Sequence, residues 1–240
     1  MIDNIVFGAF PYVVAVLFLF ATIQRYRARG FTVSSLSSQF LESRVLFWGS
    51  LPLHIGIGLL ALGHLIGFLI PREVMAWNAS PLRLVILEVT ALAAGLLTLV
   101  GVVLLVLRRL TNTRLTAVTS KADALLYGVI LFQIVTGLWV ALVHRWGSSW
   151  YAQVAAPYLK SIFLLEPNVK LIAELPLMVK LHVAGAWTLF AIFPFTRLMH
   201  VVVAPFPYLW RQVQVVIWNR DRRKLRRVEA SGVKASGRRN

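Results

Sequence analysis

Cysteine is absent from the 240 residues, and acidic side chains number only nine. Without a thiol the chain forms no disulfide, ligates no iron–sulfur cluster and holds no haem through thioether bonds. Any redox centre it carries is therefore non-covalent and uses other ligands. Charge of both signs is sparse, at 14% of residues against 58% hydrophobic. A soluble domain carries about 25% charged residues, so the composition points to a membrane protein. Strict apolar–polar alternation is also missing, and with it the signature of a membrane β-barrel. No Lys or Arg precedes the first apolar run. The chain opens MIDNIVFGAF, with Asp3, and the run ends in QRYRARG rather than in a small-residue cleavage site. It reads as a retained first span, not a secretory leader.

Five apolar runs reach the length of about 20 residues that a bilayer-crossing helix needs. They cover 4–24, 46–70, 84–107, 122–143 and 177–204. The expected fold is all-α: an integral membrane bundle of five transmembrane helices over residues 1–210, followed by a basic tail over 211–240. The net charge of +16 is distributed by topology. Arg25, Arg27, Arg29 and Arg44 flank the first connection, Arg72 and Arg83 the second, and the tail carries RDRRKLRR. Eighteen basic residues fall on one side of the expected membrane and six on the other, with Arg197 inside the last span. The positive-inside rule then sets the N-terminus outside and the C-terminus in the cytoplasm, as in a multi-pass protein of a prokaryotic inner (cytoplasmic) membrane. Topology accounts for the charge and no nucleic-acid motif accompanies it, so the tail is read as facing lipid or a protein partner. Trp77, Trp146, Trp150 and Trp210 lie near span ends, where an aromatic belt is expected.

Four of the five histidines, His54, His64, His182 and His200, lie in or at the edges of two of these runs. An ionisable side chain in hydrocarbon is costly and marks function by default. The two runs cross in opposite senses, so His64 comes level with His182 and His54 with His200. On ideal helices ten residues rise about 15 Å and eighteen about 27 Å. Helix tilt and bending near Pro194 are expected to absorb that mismatch. Eighteen residues make five whole turns, which puts His182 and His200 on one helix face, whereas His54 and His64 lie about 80° apart. Two cross-helix imidazole pairs at two depths suit two bis-histidine haems, since ligation on both faces of the iron gives an electron carrier. Zinc is the other candidate, but four ligands on one ion cannot be spread over two depths. His144, at the end of the fourth run, reads as interfacial, and Asp123 as a helix cap.

Gly56, Gly58, Gly63 and Gly67 cluster around His54 and His64 in HIGIGLLALGHLIGF. Two readings stand side by side. Glycines leave clearance for a porphyrin, or small residues bring membrane helices together.

With these motifs laid out, the chain resembles the cytochrome b (gamma) subunit family of membrane-bound respiratory nitrate reductases over about residues 8–218. The likeness is carried by SSQFLESR, HIGIGLLALGHLIGFLIP, LLVLRRL and KLHVAGAWTLFAIFPFTRLMH, and by the histidine spacings of ten and eighteen. The resemblance implies two b haems, the outer or distal one held by His64 and His182 and the inner or proximal one by His54 and His200. It also implies a quinol-oxidising site near the distal haem, with Arg83, Gly63 and His64 as candidates. Arg83 stands where the family has a lysine, so a planar fork replaces a compact ammonium. Electrons would pass to an iron–sulfur beta subunit and a molybdenum-containing alpha subunit on the cytoplasmic side. Arg197 and Lys180 are candidates for haem propionates, with snorkelling interfacial cations as the alternative reading of each. Two other functions fit parts of the pattern. One is the same dihaem role serving a sulfur- or heterodisulfide-type reductase, and the other is a histidine-bearing proton or metal transporter.

Overall fold

The computed structural model describes residues 1–33 and 37–202, and its first compact unit is Met1–Val203. Trp210, the 210/211 boundary and the basic tail lie outside the described residues. Among the described residues five helices are long and apolar enough to cross a membrane: Asn4–Arg29, Arg44–Leu69, Pro81–Thr111, Lys121–Val143 and Leu177–Phe195. The first four agree with the expected runs within a few residues, and no strand occurs among the described residues. Large apolar side chains such as Val16, Phe20, Leu62, Val89 and Leu142 are exposed along these helices. That is the surface a helix presents when lipid is its solvent, because all its backbone groups are already paired within the segment.

Small residues set the closest packing. The second and third spans form the most extensive contact in the bundle. A Cβ at Gly101 would lie 2.5 Å from the Leu53 nitrogen, and one at Gly56 would lie 2.7 Å from the Ala94 carbonyl oxygen. Around this seam Leu53, Val102, Leu105 and Ile134 make one buried cluster. Backbone approach of this kind is how membrane helices gain dispersion contacts where burial from water is not available.

The connections are ordered by polar clamps. The buried Arg108 guanidinium, at the end of the third span, donates to Glu42 Oε2 at 2.5 Å, to Ser38 Oγ at 3.0 Å and to the carbonyls of Ser38 and Glu42. Glu42 in turn accepts from the Val45 and Leu46 amides and so caps the second span. Ser120 and Asp123 form a reciprocal capping box at the start of the fourth span, the pattern that satisfies two of a helix's orphan donors at once. The long connection between the fourth and fifth spans folds into short helices. Tyr158, Ile162 and Ile172 there bury against Phe7 of the first span, and the Tyr158 hydroxyl donates to the Phe7 carbonyl at 2.8 Å.

The fifth span departs from expectation. A continuous helix over 177–204 does not form. Its α-helix stops at Ile192, 3₁₀ turns follow over Phe193–Phe195 and Arg197–Val201, and Thr196 between them is extended. Pro194 has no amide proton to continue the helical ladder, and its ring crowds the preceding turn. His182 and His200 therefore do not share the face of one helix, and the ideal eighteen-residue rise does not apply.

Candidate functional site

The fold brings the four histidines together as two cross-helix pairs. His54 faces His200 with ring centroids 6.1 Å apart and planes at 64°, and His64 faces His182 at 6.5 Å and 40°. The levels match those expected from the opposed chain directions. His200 meets His54 from the turns beyond the break at Thr196.

Backbone and side-chain partners set which ring nitrogen is free. Nδ1 of His54 lies 2.7 Å from the Ser50 carbonyl, Nδ1 of His64 2.8 Å from that of Leu60, and Nδ1 of His200 2.6 Å from that of Arg197. A carbonyl only accepts, so each Nδ1 carries the proton and the lone pair is on Nε2. His182 is held through side chains instead. Thr136 Oγ1 donates to the carbonyls of Phe132 and Gln133 and lies 3.1 Å from His182 Nδ1. The Gln133 side-chain amide lies 3.4 Å from His182 Nε2, so both ring nitrogens of His182 meet the fourth span. His54, His64 and His200 are thus prepared as neutral donors through Nε2.

The geometry fits a bis-imidazole iron. A ring nitrogen binds a first-row metal at about 2 Å, so an iron held from both faces leaves ring centres roughly 6 Å apart. Both pairs have that separation. His54 and His64 are exposed on the second span, and a Cβ added at Gly58 or Gly63 would meet nothing within 4 Å. Open space beside the rings is what a flat macrocycle requires. The other two glycines serve packing: Gly56 lies against Thr98 and Ala94, and a Cβ at Gly67 would be 2.8 Å from the Tyr151 ring. Among the described residues no group of three or more His, Cys, Asp or Glu side chains could hold one metal ion.

Three contributors on the fourth span escaped sequence reasoning. Gln133 and Thr136 orient His182, and Gly137 makes room for it, since a Cβ there would lie 2.9 Å from His182 Cε1. Their signal was a polar pair and a glycine at helical spacing in a segment otherwise almost wholly apolar. Tyr151 was also missed. Its hydroxyl donates to the His64 carbonyl at 3.1 Å and its ring meets His64 edge-on at 5.3 Å. Burial pushes that hydroxyl up to about 12.

The chain matches the family model described as nitrate reductase gamma subunit over residues 3–219. The chain belongs to the nitrate reductase gamma subunit family. Among its relatives are the nitrate reductase gamma chain of Bacillus subtilis, 32% identical over 90% of this chain and 98% of that one, and the respiratory nitrate reductase 2 gamma chain of Escherichia coli, 31% identical over 88% and 94%. A nitrate reductase-like protein of Mycobacterium tuberculosis is 34% identical over 88% of this chain, which spans 33% of that longer protein.

The remaining candidates of this family member are engaged as follows. Arg197 closes on the Asp123 carboxylate through Nε and, at 2.8 Å, through Nη2. Lys180 pairs with Asp3 at 3.2 Å, joining the starts of the fifth and first spans. Arg83 stacks on Trp77, with Cζ 5.3 Å from the ring centre, and Trp77 Nε1 donates to the Arg83 carbonyl at 3.3 Å. The His144 carbonyl accepts from Trp150 Nε1 at 3.4 Å.

Proposed function

We propose that this chain is the membrane electron-transfer subunit of a respiratory nitrate reductase, carrying two b haems. His64 and His182 hold the distal haem on the outer side, and His54 and His200 the proximal haem on the cytoplasmic side. The observation that carries the reading is the pair of stacked imidazole couples, each at the ring spacing of an iron held from both faces. When bound, haem supplies one-electron transfer through an iron closed to oxygen.

The chain's own residues prepare the ligands. The Ser50, Leu60 and Arg197 carbonyls fix the tautomers of His54, His64 and His200, and Thr136 and Gln133 hold the His182 ring in place. Quinol is the donor on the outer side, near His64, Gly63 and Arg83. The electrons leave for the iron–sulfur beta and molybdenum-containing alpha subunits in the cytoplasm, where nitrate is reduced. Proton release outside with electron flow inward contributes to a transmembrane proton gradient. The family relationship supports the membrane-subunit role, and the charge asymmetry supports the orientation.

The test is a dithionite-reduced minus oxidised spectrum of the purified protein, with haem extracted and counted. A b-type spectrum and two haems per chain are expected, and a colourless protein overturns the reading. Copurified cytoplasmic subunits identify the acceptor, separating nitrate reductase from a sulfur- or heterodisulfide-type complex.

A further inference from the structure

The segment that carries His200 has lost its helix. After Ile192 only 3₁₀ turns and the extended Thr196 remain, so the rigid scaffold that orients His182 is missing here. Arg25 of the first span holds the segment's start by donating to the Pro194 and Thr196 carbonyls at 2.7 and 3.0 Å, and Arg197 ties the part next to His200. The side chain of Arg197 grips both oxygens of Asp123, while its backbone carbonyl accepts from His200 Nδ1 at 2.6 Å. One residue thus joins the ligand to the fourth span.

Asp123 is a firm anchor. It sits at the third position of the fourth span and is almost wholly buried, at 3% exposure. Its amide donates to Ser120 Oγ at 3.1 Å, and its Oδ2 accepts from the Ser120 amide at 3.0 Å. A second buried cation, Arg109, approaches Oδ2 at 3.8 Å. Arg109 is itself fixed by Thr119 Oγ1 at 2.8 Å and by the Tyr127 hydroxyl and ring. A carboxylate set between two guanidiniums and the Ser120 amide has little freedom, and planar Arg–carboxylate pairing adds direction to attraction. Helix capping alone would need Ser120 and the carboxylate, but not Arg197.

We infer that Asp123 is a positioning residue for the proximal haem: through Arg197 it sets where the His200 imidazole stands, and so controls ligation at the inner pair. The inference rests on the proposed dihaem function. Asp123 touches neither haem iron nor substrate and acts only through Arg197.

The test uses the purified full-length chain with its haems, read by electron paramagnetic resonance and by optical redox titration. Asp123→Asn keeps an acceptor for the Ser120 amide but loses the ion pair. Arg197→Met keeps the backbone carbonyl but loses the side-chain anchor, and Arg197→Lys restores charge without the fork. Ser120→Ala removes half of the cap and leaves the ion pair in place. Expected are loss or conversion of the six-coordinate low-spin signal of the inner haem in the Asn and Met variants, partial recovery in the Lys variant, and no change with Ser120→Ala. The outer haem serves as the internal control for folding and stays unchanged throughout. An unaltered inner signal in both the Asn and Met variants overturns the inference. So does equal loss of both haems in the Met variant, which would make the pair a general fold element. If Asp123→Asn yields no folded protein, the Met and Lys variants decide. Absence of two haems in the wild-type protein would instead be a failure of the dihaem reading itself.

Discussion

The Tyr151 hydroxyl donates to the His64 carbonyl at 3.1 Å, while its ring lies edge-on to the imidazole at 5.3 Å and fills the space left by Gly67. One aromatic side chain from the connection between the fourth and fifth spans therefore braces one histidine of the His64–His182 pair. Tyr151→Phe removes a single hydrogen bond, worth about 1 kcal/mol, and retains the ring. Tyr151→Ala also removes the ring's packing against His64 and Gly67. Redox titration should show the distal haem shifted modestly in the Phe variant and destabilised in the Ala variant. The proximal haem should be unaffected in both.

Pairing by level gives a second prediction. His200→Ala removes a ligand from the pair with His54 and leaves the His64–His182 couple intact. The variant should keep the distal haem, lose or weaken the proximal one, and fail to deliver electrons to the acceptor subunits. Loss of the distal haem alone would overturn both the pairing and the proposed topology.

Much of this was legible because the bilayer imposes a coarse code. Apolar runs of spanning length marked five helices, and opposed directions matched His54 with His200 and His64 with His182. The failures came where local chemistry overrides periodicity. Pro194 ends a helix that hydropathy alone carries through to residue 204, because apolarity does not register a missing amide proton. Asp123 was legible as a capping residue, although the N-cap itself is Ser120 and Asp123 is the third residue of the helix. Its bond to Arg197 joins residues 74 positions apart, and no local pattern encodes that. Gln133, Thr136 and Gly137 remained hidden for the same reason: their role appears only once the fifth span lies against the fourth.

A third prediction concerns the clamp between Arg108 and Glu42. Burial pushes the Glu42 carboxyl up, but hydrogen bonds from Arg108, Val45 and Leu46 outweigh it and hold the carboxyl below its ordinary value. A depressed carboxylate contributes stability that is full above its unfolded value and is lost as pH falls through the folded one. Glu42→Gln should therefore lower thermal stability in detergent at pH 7, and its deficit should shrink as the pH is taken below the ordinary carboxylate range. Arg108→Ala should cost on the order of 2 kcal/mol and loosen the 37–43 segment. Thermal melts across pH check both, and a deficit independent of pH would show that charge is not the cause.

The glycines should sort into two classes on substitution. A Cβ at Gly137 would press on His182 at 2.9 Å, whereas one at Gly58 meets nothing within 4 Å. Gly137→Val should displace the His182 ring and sharply reduce distal haem content. Gly58→Ala should leave the fold itself unchanged, so any loss of haem in that variant measures the clearance the macrocycle needs. Haem counted per chain, with circular dichroism to confirm helix content, separates the two effects.

Arg83 is the sharpest test of the proposed quinol site. It opens the third span, and its guanidinium lies over Trp77 with Cζ 5.3 Å from the ring centre, while its Nη2 is 3.5 Å from the Ala76 carbonyl. Stacking orients the planar fork and leaves donors for a quinone oxygen or for the anion formed when quinol loses a proton. A membrane-interface arginine would show the same stacking and position, and kinetics separate the two roles. Arg83→Ala should slow quinol-driven turnover by roughly ten- to a hundredfold, the size expected for losing a charged hydrogen bond of about 1.5–3 kcal/mol. Both haems should remain bound, and nitrate reduction from an artificial donor that bypasses this chain should run at the wild-type rate. Arg83→Lys, which restores a cation without the fork, should recover part of the loss. Wild-type quinol turnover in the Ala variant would make Arg83 a membrane anchor and leave the site to be built from other groups near His64.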